Sequence, residues 1–526
     1  MKSFSGIVKK NNGHFFTVND QPVILFAAET HNSAGTSDDY MKNVWKKLDE
    51  LNCNAVLVPV SWESIEPQEN YFDFTLLEKL IDSAREHNKK LVLLWFGSWK
   101  NGLSTYVPAW IKTDLIRFPR TENEYGIKSR ILSMFGSDIL QTEIKSFKRL
   151  IEYIKKSDEK KQTVIAVQVE NEVGILDAVR DFSSPAAEAF EKNVPTELLE
   201  YLKETKSDSF MQLLKHLEHT SDRSWKGVFG DRADEIFMCW NYARYINELV
   251  TYAKESYALP MFTNVWLKES DYERPGFYPC GGPVPEMIDV WKGGAPCLDF
   301  IAPDIYAFEF DRFAGLYARN DNPLFIAETR RDKWSVANLY VAVGKYNTLC
   351  YSPFGAESIG ENKSFITQIL HTNSADKNVS CEMVKEYLSQ SYKLLRNMMP
   401  VILECYGTDK MTGFSQDAIR MSKHLKLGKY QILIEFYHQI DEENEFIPAA
   451  GIIIERDENE LLFIGYGYRA YLKTINKGKQ LDFLSLEKGF FDQDANWNKY
   501  MDLNGDEQHV QMEEKVTILK AKYYEF

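Results

Sequence analysis

Apolar residues in this chain gather into short runs, and between the runs they recur at helical spacing. The runs are Pro22–Ala27, Asn54–Val60, Lys90–Phe96, Thr163–Val169, Leu259–Asn264, Leu298–Asp304, Leu324–Glu328 and Thr348–Phe354. A short apolar run bounded by polar residues reads as a strand buried on both faces, the habit of parallel sheets. Between runs, Val44, Trp45, Leu48 and Leu51 form one helical stripe, and Leu77, Leu80, Ile81 and Ala84 another. Eight runs alternating with helices predict a closed (β/α)8 barrel. Ahead of it, weak alternation around Asn11-Asn12-Gly13 predicts a hairpin. Behind it, Leu388, Tyr392, Leu395 and Met398 predict a helix that Pro400 would stop. The pattern then changes to short β runs, at Tyr430–Phe436, Ala450–Ile454 and Glu460–Gly465, and Asn504-Gly505 is a two-residue hairpin signal. The expected fold class is therefore α/β, a TIM barrel over residues 1–404 with an N-terminal hairpin, followed by an all-β, sandwich-like domain over 405–526.

The length, 526 residues, suits two domains, and 44% hydrophobic with 13% aromatic residues suits a large core. The net charge of −15 argues against nucleic acid or an anionic membrane as partner. Seven scattered cysteines without a CxxC pair make neither a disulfide framework nor a zinc site. No apolar leader opens the chain and no stretch is long enough to span a bilayer, so a cytoplasmic location is expected unless an exported precursor has been trimmed. The sequence leaves the oligomeric state open.

Two runs end abruptly in carboxylates: Gln168-Val169-Glu170-Asn171-Glu172 on strand four and Phe325-Ile326-Ala327-Glu328 on strand seven. Barrel enzymes keep their chemistry at the C-terminal ends of their strands. Paired carboxylates there are the machinery of glycoside hydrolysis. Glu172 is expected as general acid/base and Glu328 as nucleophile, about 5–5.5 Å apart if the sugar keeps its anomeric configuration. Strand alternation puts Glu170 on the same side as Glu172, one layer deeper, as the competing acid. Asn171 would donate to the substrate 2-hydroxyl, and Tyr306 would donate to Glu328 and hold it ionised.

Further binding residues are expected at strand ends. His31 and Asn32 would reach glycone hydroxyls, Glu357 would bind another, and Trp62, Trp95, Trp99 and Trp266 would supply a stacking floor for sugar rings. No metal or other cofactor is expected. His216 and His219 share a helix face but lack carboxylate company, and read as a solvated helix. Asp502, Asn504 and Asp506 imitate the start of a calcium loop, but Glu507 stands where that loop needs glycine.

Asn171-Glu172 and Glu328 resemble the signature of the large clan of retaining glycosidases. Gln168–Glu172 with Gly174 resembles glycoside hydrolase family 35, the β-galactosidases. So does Trp62-Glu63-Ser64-Ile65-Glu66-Pro67 followed by Tyr71-Phe72-Asp73-Phe74, a string that family 42 also carries. A bacterial family-35-like subgroup with a C-terminal β domain is similar at His31-Asn32-Ser33, Leu93–Asn101, Ala302–Tyr306, Ser352–Gly355 and Leu503–Glu507. Where many family members place a Cys/Ala-Glu-Trp string, this chain has Gly97-Ser98-Trp99. The resemblance implies an exo-acting retaining β-galactosidase taking an oligosaccharide or other glycoside. The alternatives are a β-glucosidase, β-mannosidase or β-xylosidase of the same clan, or a non-catalytic carbohydrate-binding protein on a barrel scaffold.

Overall fold

A computed structural model describes residues 5–10, 12–205, 210–211, 221–360, 381–438 and 446–526. Eight parallel strands close into a barrel: Leu25–Glu29, Ala55–Ser61, Lys90–Lys100, Val164–Asn171, Met261–Trp266, Phe300–Ile305, Ile326–Thr329 and Cys350–Pro353. They are strands one to eight below. Their inward residues fill the barrel, among them Leu25, Ala27, Leu57, Leu94, Phe96, Ala302 and Cys350. Across strands five, six and just before seven, Phe262, Phe300 and Phe325 stack with ring centroids 4.7–5.0 Å apart. The interior is thus a packed core, and the chemistry is left to the upper rim.

The predicted N-terminal hairpin is present, Ser5–Lys10 against Gly13–Val18, with Gln21–Val23 added as a third strand. Its Phe16 is fully buried with the barrel's interior cluster, and Ile7, Val18 and Val23 pack against the same cluster. The sheet stoppers the barrel's lower end.

The last helix runs Cys381–Asn397, and Pro400 sits in the first turn of a second short helix, Met399–Cys405. Proline suits that position, because the first turn's N–H groups have no intrahelical partner. Beyond it two antiparallel sheets pack face to face. One has six strands: Met411–Ser415, Ala450–Asp457, Glu460–Tyr466, Thr517–Glu525, Leu481–Phe491 and Trp497–Asp502. The other has four: Ser422–Leu427, Tyr430–Phe436, Tyr468–Thr474 and Val510–Met512. Asn504-Gly505 is not a hairpin. A 3-10 turn, Gly505–Glu507, carries the chain from Trp497–Asp502 in the first sheet to Val510–Met512 in the second. The Asn-Gly pair marks a turn, but its flanking strands pair elsewhere. His216 and His219 lie outside the described residues.

The β domain docks on the barrel helix Lys333–Gly344, which is buried almost all round. A Cβ on Gly344 would stand 2.7 Å from Gly413 Cα. Any side chain there must push the sandwich off its seat. Gly344→Val should cost about 1–3 kcal/mol, read as a lower denaturant midpoint. Gly6→Ala, whose Cβ meets only Thr17 Oγ1 at 3.7 Å, should leave the midpoint unchanged. Equal midpoints for both variants would refute this account of the interface.

Candidate active site

Strand four does not keep strict alternation to its end. Glu170 has φ 62° and Glu172 φ 46°, both left-handed, a conformation few non-glycine residues adopt. The two kinks send the carboxylates apart. Glu170 turns beneath strand three, where it accepts the Ser98 and Trp99 backbone N–H groups at 3.0 and 2.7 Å. The expectation that Glu170 and Glu172 share a side is therefore wrong, because it assumed an unbroken strand. Glu170 faces Glu143, whose carboxylate accepts from Trp95 Nε1 and Tyr245 Oη at 2.8 Å each and from Ser98 Oγ. Burial, and then the Glu143 charge, push the Glu170 carboxyl well above the usual range.

Asn171, between the kinks, points into the barrel mouth. Its Nδ2 donates to Glu328 Oε1 at 3.2 Å, and its Oδ1 accepts from Lys100 Nζ at 2.9 Å. Tyr306 Oη donates to Glu328 Oε2 at 2.9 Å. Asn264, ending strand five's inner face, ties the acids together. Its Oδ1 accepts the Glu172 backbone N–H at 2.9 Å, while its Nδ2 donates to Asp304 Oδ2 at 2.6 Å and reaches Glu328 Oε1 at 3.4 Å. One oxygen each from Glu172, Asp304 and Glu328 lies within 4.8 Å of the other two. Such a trio could gather round a cation, and the Lys100 ammonium already stands beside it.

The electrostatics follow from burial. Desolvation, then the Glu328 charge, raise Glu172 to about 7, with Lys100 and a hydrogen bond from Asp304 pulling the other way. Desolvation, then Glu328 and Glu172, push Asp304 well above the carboxylate range. Burial pulls Lys100 downward, yet Glu328, Glu172, Glu29 and Asp304 together hold it above an ordinary lysine. Glu328 is the carboxylate that collects donors, from Asn171, Asn264 and Tyr306.

The remaining expected residues divide. Trp266, at the end of strand five, is 37% exposed. Trp62, Trp95 and Trp99 are 0% exposed. Their indole N–H groups donate to Glu66, Glu143 and the Leu132 carbonyl, and Trp62 and Trp99 pack against Trp110, Tyr242 and Tyr245. No face of these three is open to a sugar, so the stacking floor placed on them is corrected: they are core, at strand ends that the surrounding helices cover. His31 and Glu357 meet each other, the His31 backbone N–H donating to both Glu357 oxygens at 3.0 and 3.2 Å, while His31 Nε2 lies 2.9 Å from Ser358 Oγ. Asn32 keeps a buried Oδ1 with no hydrogen-bond partner.

Lys100, Asn264, Asp304 and Glu29 were not expected as binding groups. Asn264, Asp304 and Glu29 carried the same signal as Glu328, a polar residue closing an apolar run. Lys100 carried none, because strand three runs on through Gly97-Ser98-Trp99 to reach it.

A family model described as "Beta-galactosidase", of the glycoside hydrolase 42 family, matches residues 32–211. Another, described as a domain of unknown function, matches residues 388–513. The first lies over the first half of the barrel, and its family is 42 where the strand-end strings resemble family 35. No curated protein matches the chain. Among solved structures, a cold-adapted β-galactosidase from Rahnella sp. R3 is 16% identical, covering 63% of this chain and 50% of its own, at TM-score 0.41. A β-galactosidase from Bacillus circulans sp. alkalophilus is 10% identical, covering 95% of this chain and 99% of its own, at TM-score 0.44. The catalytic domain of a β-amylase from Paenibacillus polymyxa is 12% identical, covering 64% and 93%, at TM-score 0.47. This chain spans half the length of the Rahnella enzyme.

The charge coupling within the site can be measured directly. With glutamate carboxyl carbons labelled, Glu172 should titrate near pH 7. In Glu328→Gln its midpoint should fall, since a neighbouring negative charge that disfavoured ionisation is gone. An unchanged midpoint would mean that the two carboxyls do not sense each other.

Proposed function

We propose that the protein is a retaining, exo-acting β-glycosidase, and specifically a β-galactosidase. The observation that carries this is the facing pair, Glu172 on strand four and Glu328 on strand seven, with an oxygen of each within 4.8 Å of the other. That approach matches the close spacing of retaining enzymes and leaves no room for the water an inverting enzyme places between its acids. Galactose is supported by the family description matched over residues 32–211. Exo action is supported by depth: Glu172, Asp304 and Glu328 are each no more than 6% exposed, a pit that suits one terminal sugar.

Glu328, ionised and steadied by Asn171 and Tyr306, attacks the anomeric carbon. Glu172, protonated, gives its proton to the departing oxygen. Forming the ester removes the Glu328 charge, one of the two causes that raise Glu172. The Glu172 pKa then falls, and the same carboxylate serves as base toward the incoming water. Asn171, held on its far side by Lys100, is placed to donate to the sugar 2-hydroxyl. His31 and Asn32, just past strand one, and Glu357, just past strand eight, would bind further hydroxyls, and Trp266 would offer the stacking ring. The family 35 placement rests on the strings at Trp62–Phe74 and Gln168–Gly174. The domain division at 404/405 falls in the short helix Met399–Cys405, just ahead of the first sandwich strand.

A 2-deoxy-2-fluoro-galactoside with an activated leaving group should inactivate the enzyme with time. Peptide mapping should find one sugar on Glu328, and the first product seen by NMR should be the β anomer. A label on Asp304, or an α first product, would overturn the nucleophile or the double displacement.

Glu172→Gln should lose several powers of ten in rate on substrates with poor leaving groups, about 10²–10⁴-fold, and far less on activated aryl galactosides. Azide should restore turnover as the β-galactosyl azide. The same pattern in Glu170→Gln instead would move the acid beneath strand three. A panel of nitrophenyl galactosides, glucosides, mannosides and xylosides assigns the glycone.

A further inference from the structure

Glu29 ends strand one and is 0% exposed, and neither of its carboxyl oxygens has a hydrogen-bond partner. Leu25 and Ala27, four and two residues before it, belong to the cluster that fills the barrel interior. Alternation therefore points Glu29 inward, into the layer above that core. This is the layer of Asn264, Asp304 and Glu328, and Glu29 interacts electrostatically with Glu328, Glu172 and Lys100. A buried carboxyl without partners is costly, and natural proteins keep one where a ligand completes it. Glu143, Glu170, Asp304 and Glu328 all have donors in the protein itself.

The barrel's closed order fixes what a ligand would show to Glu29. Strands four and seven carry the reacting pair, so the anomeric carbon lies between them. Strand one neighbours strand eight, itself beside strand seven, and lies three strands round the barrel from strand four. A sugar seated on Glu328 with its leaving group toward Glu172 turns its far edge, the hydroxyls on C3, C4 and C6, toward strand one. Its 2-hydroxyl stays with Asn171.

We propose that Glu29 is a glycone-recognition residue that hydrogen-bonds a hydroxyl on C3, C4 or C6 of the bound sugar. This rests on the glycosidase reading above. Lys100 keeps the crowded carboxyls from repelling one another while a neutral sugar sits among them. Burial, then Glu328, raise the Glu29 carboxyl well above the usual range; a carboxyl offers an acceptor in either state and, when protonated, a donor as well, both of which a sugar hydroxyl can answer.

The test is calorimetric titration of wild type, Glu29→Gln and Glu29→Met with galactose, glucose, mannose and xylose, then with the 2-, 3-, 4- and 6-deoxy forms of whichever binds. Melting temperatures check folding, and Glu29→Met should melt no lower than wild type because it removes an unpartnered polar group. In wild type one deoxygenation at C3, C4 or C6 should weaken binding about tenfold or more. Glu29→Met should weaken the parent sugar similarly and abolish that one penalty, while the 2-deoxy penalty persists. If every deoxy penalty is the same in wild type and both variants, or if wild type binds none of the four sugars, the inference fails. Failure of the function is separate: a wild type that binds sugar with the expected coupling but cleaves no nitrophenyl glycoside sinks the glycosidase reading and leaves the recognition role standing.

Discussion

Lys100 Nζ donates to Asn171 Oδ1, and that bond decides which way the Asn171 amide faces. A side-chain amide can turn either end to its neighbour; with a cation on the oxygen, only the NH2 end can meet Glu328. Glu328 then sits between amide and phenol donors. Lys100 itself is placed from below. Glu170 grips the two backbone N–H groups just before it, and Glu143 anchors Glu170 from the helix Ile139–Asp158. A polar chain thus runs from an outer helix to the barrel centre. Buried and satisfied, such a chain is rigid; with one member removed, it leaves a charge stranded in low dielectric.

The eight strands were legible because a parallel barrel buries both faces of each strand, and unbroken apolar runs are the direct imprint of that burial. Glu172 and Glu328 were legible because each interrupts such a run at its end. Glu170 was misplaced because nothing in its neighbours foretells a positive φ, and that one torsion decides its side. Three tryptophans were misread for a related reason. A strand end names height along the barrel axis, not whether a ring turns to the mouth or to the surrounding helices. Lys100 was invisible because its contacts, Asn171 and four carboxyls, come from strands distant in sequence.

The same limit explains the β domain. Its strands were visible from alternation, but their partners were not, since Asn504-Gly505 joins two sheets instead of two neighbours. What seats the domain is equally silent in the sequence: two glycines, Gly344 and Gly413, whose missing side chains let a helix and a strand touch backbone to backbone.

The stopper formed by Phe16 and the stacked Phe262, Phe300 and Phe325 closes the barrel from beneath. A site so closed has one doorway. On the double-displacement reading the aglycone leaves through the opening by which water arrives, and the sugar ester waits behind it. Whatever hydroxyl stands in the doorway when the aglycone departs becomes the acceptor. In concentrated sugar that hydroxyl belongs to another saccharide more often than it does in dilute solution, so on that reading a floor built for packing makes water and sugar compete for the same doorway.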